Sequence, residues 1–439
     1  MKIFSSISTE FQRLLGGIVG IYLLLVTVLL LTGIIDVSLF LWQALSMALF
    51  AWSVFLLRRM SIVSATIYIV GYQVLLSFAL RVIFLSEYGT LFDPQAVDSL
   101  LYSRVAVLIQ GEDFSQTLRI LARHFKGDLS DYGFPIFLKY VYGLSGGFDA
   151  ANIVLIIFNS IFHAVTALFL YKIAVRVTND MGVAMWAMGL WGLNTASVFY
   201  NISGLKEPLF VMLCSISMWM LYLAKDRGLL KYHLLFLLFA VLLWFFRSYI
   251  SIFYLIIYIG YCHVASLYNR FFPILVIASI ILCLFFASVL VSYFPEIHYS
   301  ILKNDKFYRD KSFLFQIVSY ILAFMAPVPR LADMSYPRDL YIHSLSIVKY
   351  LLSIFAMWGC FEVIRKARAD FYPLISIVIF TVLLLIVSGR MLEYRYAYIT
   401  MPSFYILMIY GGKSCPKKLT LGYWLFALVV LFLFNLRGA

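Results

Sequence analysis

Apolar runs of about twenty residues recur along the whole chain, each long enough to cross a hydrocarbon core about 30 Å thick. In lipid every backbone N–H and C=O must be paired within the protein, so only helices and closed barrels can span. A barrel strand alternates apolar and polar residues, and these runs do not. The chain is 64% hydrophobic and 13% charged, whereas about a quarter of a soluble protein is charged. The expected fold is therefore an all-α polytopic integral membrane protein, one transmembrane domain over residues 1–439, with about 12 or 13 transmembrane helices.

The formal net charge of +13 raises a nucleic-acid reading. However, Lys and Arg gather at the ends of apolar runs, as they do on the cytoplasmic side of membrane proteins, and no basic tail or compact basic module is present. The five cysteines, Cys214, Cys262, Cys283, Cys360 and Cys415, fall in spans or at an expected cytoplasmic end. They form no CxxC, so neither a disulfide framework nor a metal knot is expected. The six histidines have no ligand spacing. Lys2 and Arg13 precede a full-length apolar run without a small-residue cleavage site, so the first span is expected to be retained.

Spans are expected at residues 15–35, 37–57 and 61–85. With Arg58-Arg59 cytoplasmic, the amino terminus is inside and the segment after Leu85 is outside. Arg81, in the outer turn of the third span, is placed to snorkel or to face the interior. Residues 87–149 then form a large external loop, longer than most loops between spans. Within it, residues 94–110 put Val97, Leu101, Val105 and Leu108 on one helical face and Asp98, Tyr102 and Ala106 on a neighbouring stripe. Residues 114–125 form a second amphipathic piece, with Arg119, Arg123 and Lys126 as its basic residues. Both pieces predict helices lying at the membrane surface. Gly127 breaks the second, and a third helix is expected at 136–144, ended by Gly146-Gly147.

Further spans are expected at 150–171, 181–200 and 208–224. Residues 232–263 are one apolar run broken by Arg247-Ser248. They read as two short spans meeting outside at Arg247, or as one long tilted span. In the second case residues 313–325 would have to cross, and they are short for that. The hairpin is favoured, with a second, partly interfacial external loop at 295–345. Spans at 270–294, 346–364, 371–388, 396–410 and 419–436 complete the chain.

Away from the cytoplasmic clusters, ionisable residues concentrate at external helix ends. A charge at membrane depth is costly and marks function by default. A carboxylate suits removal of a proton from a sugar hydroxyl. Arginine suits a phosphate or pyrophosphate, because its fork of donors never loses its charge. Asp98 is the first candidate for a catalytic base, with Asp93 beside it. The helix dipole accounts equally for Asp98, and a cap before Pro94 accounts for Asp93. Candidates for holding the substrate and its phosphate are Tyr102, Arg104, Asp131, Lys206, Glu207, Arg247, Arg330, Arg390 and Arg395. Blander roles compete: an Asx-turn before Gly133 for Asp131, a first helical turn for Glu207, and a surface ion pair with Glu393 for Arg390 and Arg395. Arg247 interrupts an apolar run, which no packing argument requires. No DxD, GxGxxG, P-loop or HExxH occurs, so no metal site or cofactor is assigned, and a divalent metal has no motif to hold it.

Four stretches carry a family resemblance. Asp98-Ser-Leu-Leu-Tyr102-Ser-Arg-Val-Ala106 resembles the acidic-xxx-Tyr-xxx-Ala element that follows an early span in GT-C superfamily integral-membrane glycosyltransferases, the dolichyl-phosphate-mannose-protein mannosyltransferase-like enzymes and related bacterial ones. Asp131-Tyr-Gly-Phe-Pro-Ile-Phe-Leu138 is similar to their Tyr/Pro stretch, Ser203-Gly-Leu-Lys-Glu207-Pro-Leu to their Glu-Pro-Leu turn, and Arg395-Tyr-Ala-Tyr-Ile-Thr-Met-Pro402 to their late Arg-Tyr…Pro span. The sequence departs from the family in having two extra spans before the loop and Ser99 where a second acidic residue would follow. The resemblance implies a polyprenyl-phosphate-linked sugar donor and an acidic base in the first external loop, matched by Asp98. The chain also resembles O-antigen and exopolysaccharide polymerases, which join undecaprenyl-pyrophosphate-linked repeats.

The expected function is thus a periplasm-facing glycosyltransferase of the bacterial inner membrane, building a cell-surface polysaccharide. Its expected partners are a lipid-linked saccharide, the bilayer and other polysaccharide-assembly proteins, with no nucleic acid. A repeat-unit polymerase is the alternative, and a transporter or flippase of lipid-linked sugars the second.

Overall fold

The computed structural model describes residues 4–57, 59–89, 97–145, 148–274, 277–278, 328–331, 341–343, 346–387 and 398–436. Among the described residues the chain is helical, with no strand. The first three helices are α1 (Phe4–Leu31), α2 (Val37–Leu57) and α3 (Ile62–Tyr88). Next come α4 (Val97–Leu108), α5 (Phe114–His124) and α6 (Gly133–Ser145), with a 3-10 turn at Leu129–Asp131 between the last two. The bundle continues with α7 (Phe148–Thr178), α8 (Met181–Gly192), α9 (Ala196–Ile202), α10 (Glu207–Arg227), α11 (Leu230–Trp244) and α12 (Ser248–Tyr258). It closes with α13 (Ser346–Arg365), α14 (Tyr372–Val387), α15 (Met401–Gly412) and α16 (Lys417–Leu436).

Seven helical stretches among the described residues are long and apolar enough to cross a membrane, eight if Ser248–His263 and Ala265–Ile274, bent by 119°, form one span. These are the long apolar helices of a multi-pass membrane protein. They do not reach the expected count of about thirteen full-length spans. The expected span at 181–200 is broken into α8 and α9. The run at 232–263 is divided into α11 and α12, of 15 and 11 residues. The helices at 371–388 and 396–410 have 16 and 12. Helices of this length serve as buried or broken elements more readily than as single crossings. Most of 270–294 and of the second external loop lies outside the described residues.

Local signals set the ends of the long helices. Ser61 caps α3 by accepting from the Ser64 N–H, and Gly89 ends it at φ 63°. Pro208 sits in the first turn of α10, and Gly228 ends that helix at φ 60°. Both glycines are left-handed, where a side chain is strained. At the crossing of α13 and α15, backbone meets backbone. A Cβ on Gly359 would lie 2.2 Å from the Leu407 carbonyl oxygen, and one on Gly411 2.0 Å from that of Phe355. Small residues permit such close approach between membrane helices.

The break between α8 and α9 is buried and polar. Gln73 of α3 donates to the Gly192 carbonyl at 2.8 Å, and His163 of α7 meets the Trp191 carbonyl at 2.9 Å. The carbonyls released by the break thus have partners without water. α11 and α12 fold back on each other as a hairpin. Ser251 donates to the Ala240 carbonyl at 2.6 Å and Phe236 stacks on Tyr258 at 4.5 Å, which leaves Arg247 at the bend.

Two sets of charged residues mark opposite ends of α10. At its carboxyl end Arg176 binds Asp226 and Asp370, Lys413 binds Asp180, and Arg368 donates to the Val177 carbonyl. The basic helix ends that the sequence reads as cytoplasmic therefore meet at one end. The other end gathers the start of α10, the turn before α6 and the α11–α12 bend.

Candidate functional site

The site forms where three loops converge on the amino end of α10. Asp128 accepts from the Ser130 N–H, so it makes the Asx-type turn that the sequence offered to Asp131. The Asp131 carboxylate instead pairs with the Lys206 ammonium and accepts from the Tyr102 hydroxyl at 2.8 Å. Gly133 donates to the Phe245 carbonyl at 2.9 Å. A Cβ there would lie 2.7 Å from the Phe246 ring and 3.0 Å from that carbonyl oxygen, so only glycine lets the two loops close.

Lys206 immediately precedes α10 and is only 5% exposed. Its ammonium also donates to the Phe246 carbonyl at 2.8 Å and lies 5.8 Å from the Tyr102 ring centroid. Glu207, the first residue of α10, is fully buried and pairs with the Arg247 guanidinium at 3.2 Å. Arg247 donates to the Tyr249 hydroxyl at 2.7 Å and packs 5.8 Å from the Phe210 ring centroid. Four segments, near residues 102, 131, 206 and 247, thus supply one cluster of two carboxylates, two cations and two phenols.

Burial shapes the charges. Burial pushes the Asp131 carboxyl up, but the adjacent Lys206, the Tyr102 hydroxyl and Arg247 outweigh it and hold the group below the usual carboxylate range. Lys206 lies below the usual lysine range, first because it is buried and then because Arg247 is near, with Asp131 and Glu207 opposing. The result is a charge-balanced cluster in which each cation faces a carboxylate, one half-buried and one fully buried.

Of the sequence candidates, the structure brings together Tyr102, Asp131, Lys206, Glu207 and Arg247. Asp98 and Arg104 are exposed on α4. Arg330 is exposed in a short stretch pinned to α16, where Asn435 accepts from the Leu331 N–H at 2.6 Å and donates to the Pro329 carbonyl at 3.0 Å. Asp93, Arg390 and Arg395 lie outside the described residues.

Sequence reading missed a buried polar seam below the cluster. Asn201 of α9 donates to Gln73 at 3.0 Å and to Ser77 at 3.4 Å, and Asn159 of α7 donates to the Asn201 carbonyl at 3.0 Å. Arg81, one turn beyond Ser77 on α3, is buried, so it faces the interior rather than snorkelling. His163 stacks on Trp191 at 4.7 Å. Its Nε2 faces a carbonyl and so carries the proton, leaving Nδ1 to accept from the Tyr398 hydroxyl at 3.2 Å. Lys349 of α13 is buried 4.9 Å from the Phe404 ring centroid. The spacing of Gln73, Ser77 and Arg81, each four residues apart, was the available signal. No protein-family model matches the chain, and no curated protein matches it significantly.

Proposed function

We propose that the chain is a membrane glycosyltransferase that takes a saccharide from a polyprenyl-(pyro)phosphate carrier on the periplasmic side of the bacterial inner membrane, for a cell-surface polysaccharide. The observation that carries this reading is the burial of Lys206 and Arg247 together at one end of a helical bundle. Holding two cations out of water is costly, and apolar residues would pack there more cheaply. A phosphate group would repay that cost. It would meet the half-buried Asp131 first and exchange with it for Lys206.

Asp131, held ionised by Lys206, is a weak base. Asp98, exposed one helical turn before Tyr102, is the proposed proton acceptor. The acceptor hydroxyl gives its proton to Asp98, and its oxygen bonds to the anomeric carbon. The bond from that carbon to the phosphate oxygen breaks, and the phosphate keeps the electron pair. Lys206 and Arg247 neutralise the charge that develops there.

Complementation of a surface-polysaccharide defect tests this, with products resolved by length and membrane levels checked. Asp98→Asn and Arg247→Lys are expected to abolish product at unchanged protein level; full product from both would overturn the reading. Single repeat units in place of long chains would identify the polymerase alternative. A second reading, a transporter of lipid-linked sugars, draws support from the α8–α9 break and its polar seam, since transporters place discontinuous helices at their binding sites. Movement of a labelled lipid-linked sugar across proteoliposomes, without transfer, would favour it.

A further inference from the structure

Helix α4 turns an apolar face outward. Its inward residues, Ser99, Tyr102, Ser103, Val105 and Ala106, are buried. Its outward residues are Val97, Leu100, Val107 and Leu108, which are 72, 43, 49 and 47% exposed. Arg104 lies among them, and Asp98 is exposed at the edge of that face. Helical rotation puts these apolar residues on one side. α5 has a basic outer face. It buries Thr117 and Leu121 and exposes Arg119, Arg123 and His124, with Phe114 exposed at its first position. α6, packed beside α4, exposes Tyr140 and Leu144.

An apolar face of this size against water is unfavourable. Against lipid the same arrangement is stable. We infer that α4 is seated in the bilayer, with its outer face against acyl chains and Arg104 reaching the phosphate headgroups, while α5 lies in water. The lipid–water boundary then passes between α4 and α5, at the level of the ion cluster. Tyr102, on the inner face of α4, touches Asp131. The cluster is therefore separated from lipid by little more than one helix, about 10–12 Å across. This seating does not depend on the proposed chemistry. Its consequence does: given a lipid-phosphate substrate, the headgroup reaches Lys206 sideways, past α4, rather than from the aqueous side.

The test places a benzophenone photocross-linker at Val97, Leu100 or Leu108, and at Ser115 or Arg119 of α5, in the full chain. These side chains are exposed, so the substitutions leave the packing intact. The protein is irradiated in nanodiscs of phosphatidylethanolamine and phosphatidylglycerol, and adducts are read by mass spectrometry. Lipid adducts at the three α4 positions, with background levels on α5, are the expected result. Equal yields on the two helices would overturn the inference. Binding of a dansylated polyprenyl phosphate is measured in the same nanodiscs. Lipid adducts on α4 together with binding unchanged by Lys206→Met would overturn the sideways route and the phosphate role of Lys206, leaving the seating of α4 in place. Binding lost in Lys206→Met without lipid adducts on α4 would overturn the seating alone.

Discussion

At its carboxyl end α10 offers Asp226 to Arg176, which also holds Asp370 at 2.8 Å; at its amino end it offers Glu207 to Arg247. The first group is wet, with both aspartates more than a third exposed. Its aspartates remain hydrated although Arg176 is largely covered, and pairs with such exposed partners contribute little. The second group is dry, with Glu207 wholly buried. There the desolvation of both charges weighs against their attraction, and a packed apolar pair would serve the fold as well or better. The wet end fastens helix ends with basic residues that set orientation in any case. The dry end retains charge that packing does not require, which is why the proposed site lies there.

The contrast breaks most sharply at Arg247. Arg247→Met leaves Glu207 buried without this guanidinium and is expected to cost about 3–5 kcal/mol. Glu207→Leu combined with Arg247→Met should recover most of that, read as the thermal midpoint of the purified protein in detergent. If the single substitution is silent, the two ends do not differ in kind. Lys206→Met strands a carboxylate that is half exposed and can hydrate, so a smaller loss, about 1–3 kcal/mol, is expected.

Acid sharpens the same comparison. Asp131 has a lowered folded pKa, so its contribution is complete above the ordinary carboxylate value of 3.8 and is lost as pH falls through the folded value. The midpoint of the native protein should therefore drop on acidification below about pH 4 more steeply than that of Asp131→Asn. Parallel curves would show that the Asp131–Lys206 pair does not stabilise the fold. Asp370→Asn, at the wet end, should move stability by less than about 1 kcal/mol. A change as large as that at Arg247 would erase the distinction.

Much of the bundle was legible because apolar run length is a local property. α1, α2, α3, α7 and α10 coincide with runs that the sequence marks, and Arg247 stood out because it interrupts one. What escaped reading depends on distant partners. The Asp131–Lys206 pair joins residues 75 apart, and the local pattern pointed Asp131 to a turn that Asp128 makes. The α8–α9 break hides in Gly192-Leu-Asn-Thr195, too short to lower the apolarity of its surroundings. Gln73 and His163 each appear as one polar residue in an apolar run, and their purpose shows only when the Gly192 and Trp191 carbonyls lie opposite. For α4, spacing put Val97, Val105 and Leu108 on one face, whereas the structure buries Val105 and turns Val97 and Leu108 outward with Leu100 and Val107.

The break between α8 and α9 also bears on how the chain enters the membrane during synthesis. A helix interrupted in mid-run presents bare carbonyls to lipid, each costing several kcal/mol. The two side chains that cover them, Gln73 and His163, are both translated earlier, on helices already delivered by the insertion machinery. As α8 emerges, its partners are waiting, consistent with folding from the amino terminus during synthesis. Tyr398, which completes the His163 contact, arrives more than two hundred residues later. Once α8 and α9 have joined, Gln73, His163 and Asn159 have partners within the first nine helices, and the later helices close around them.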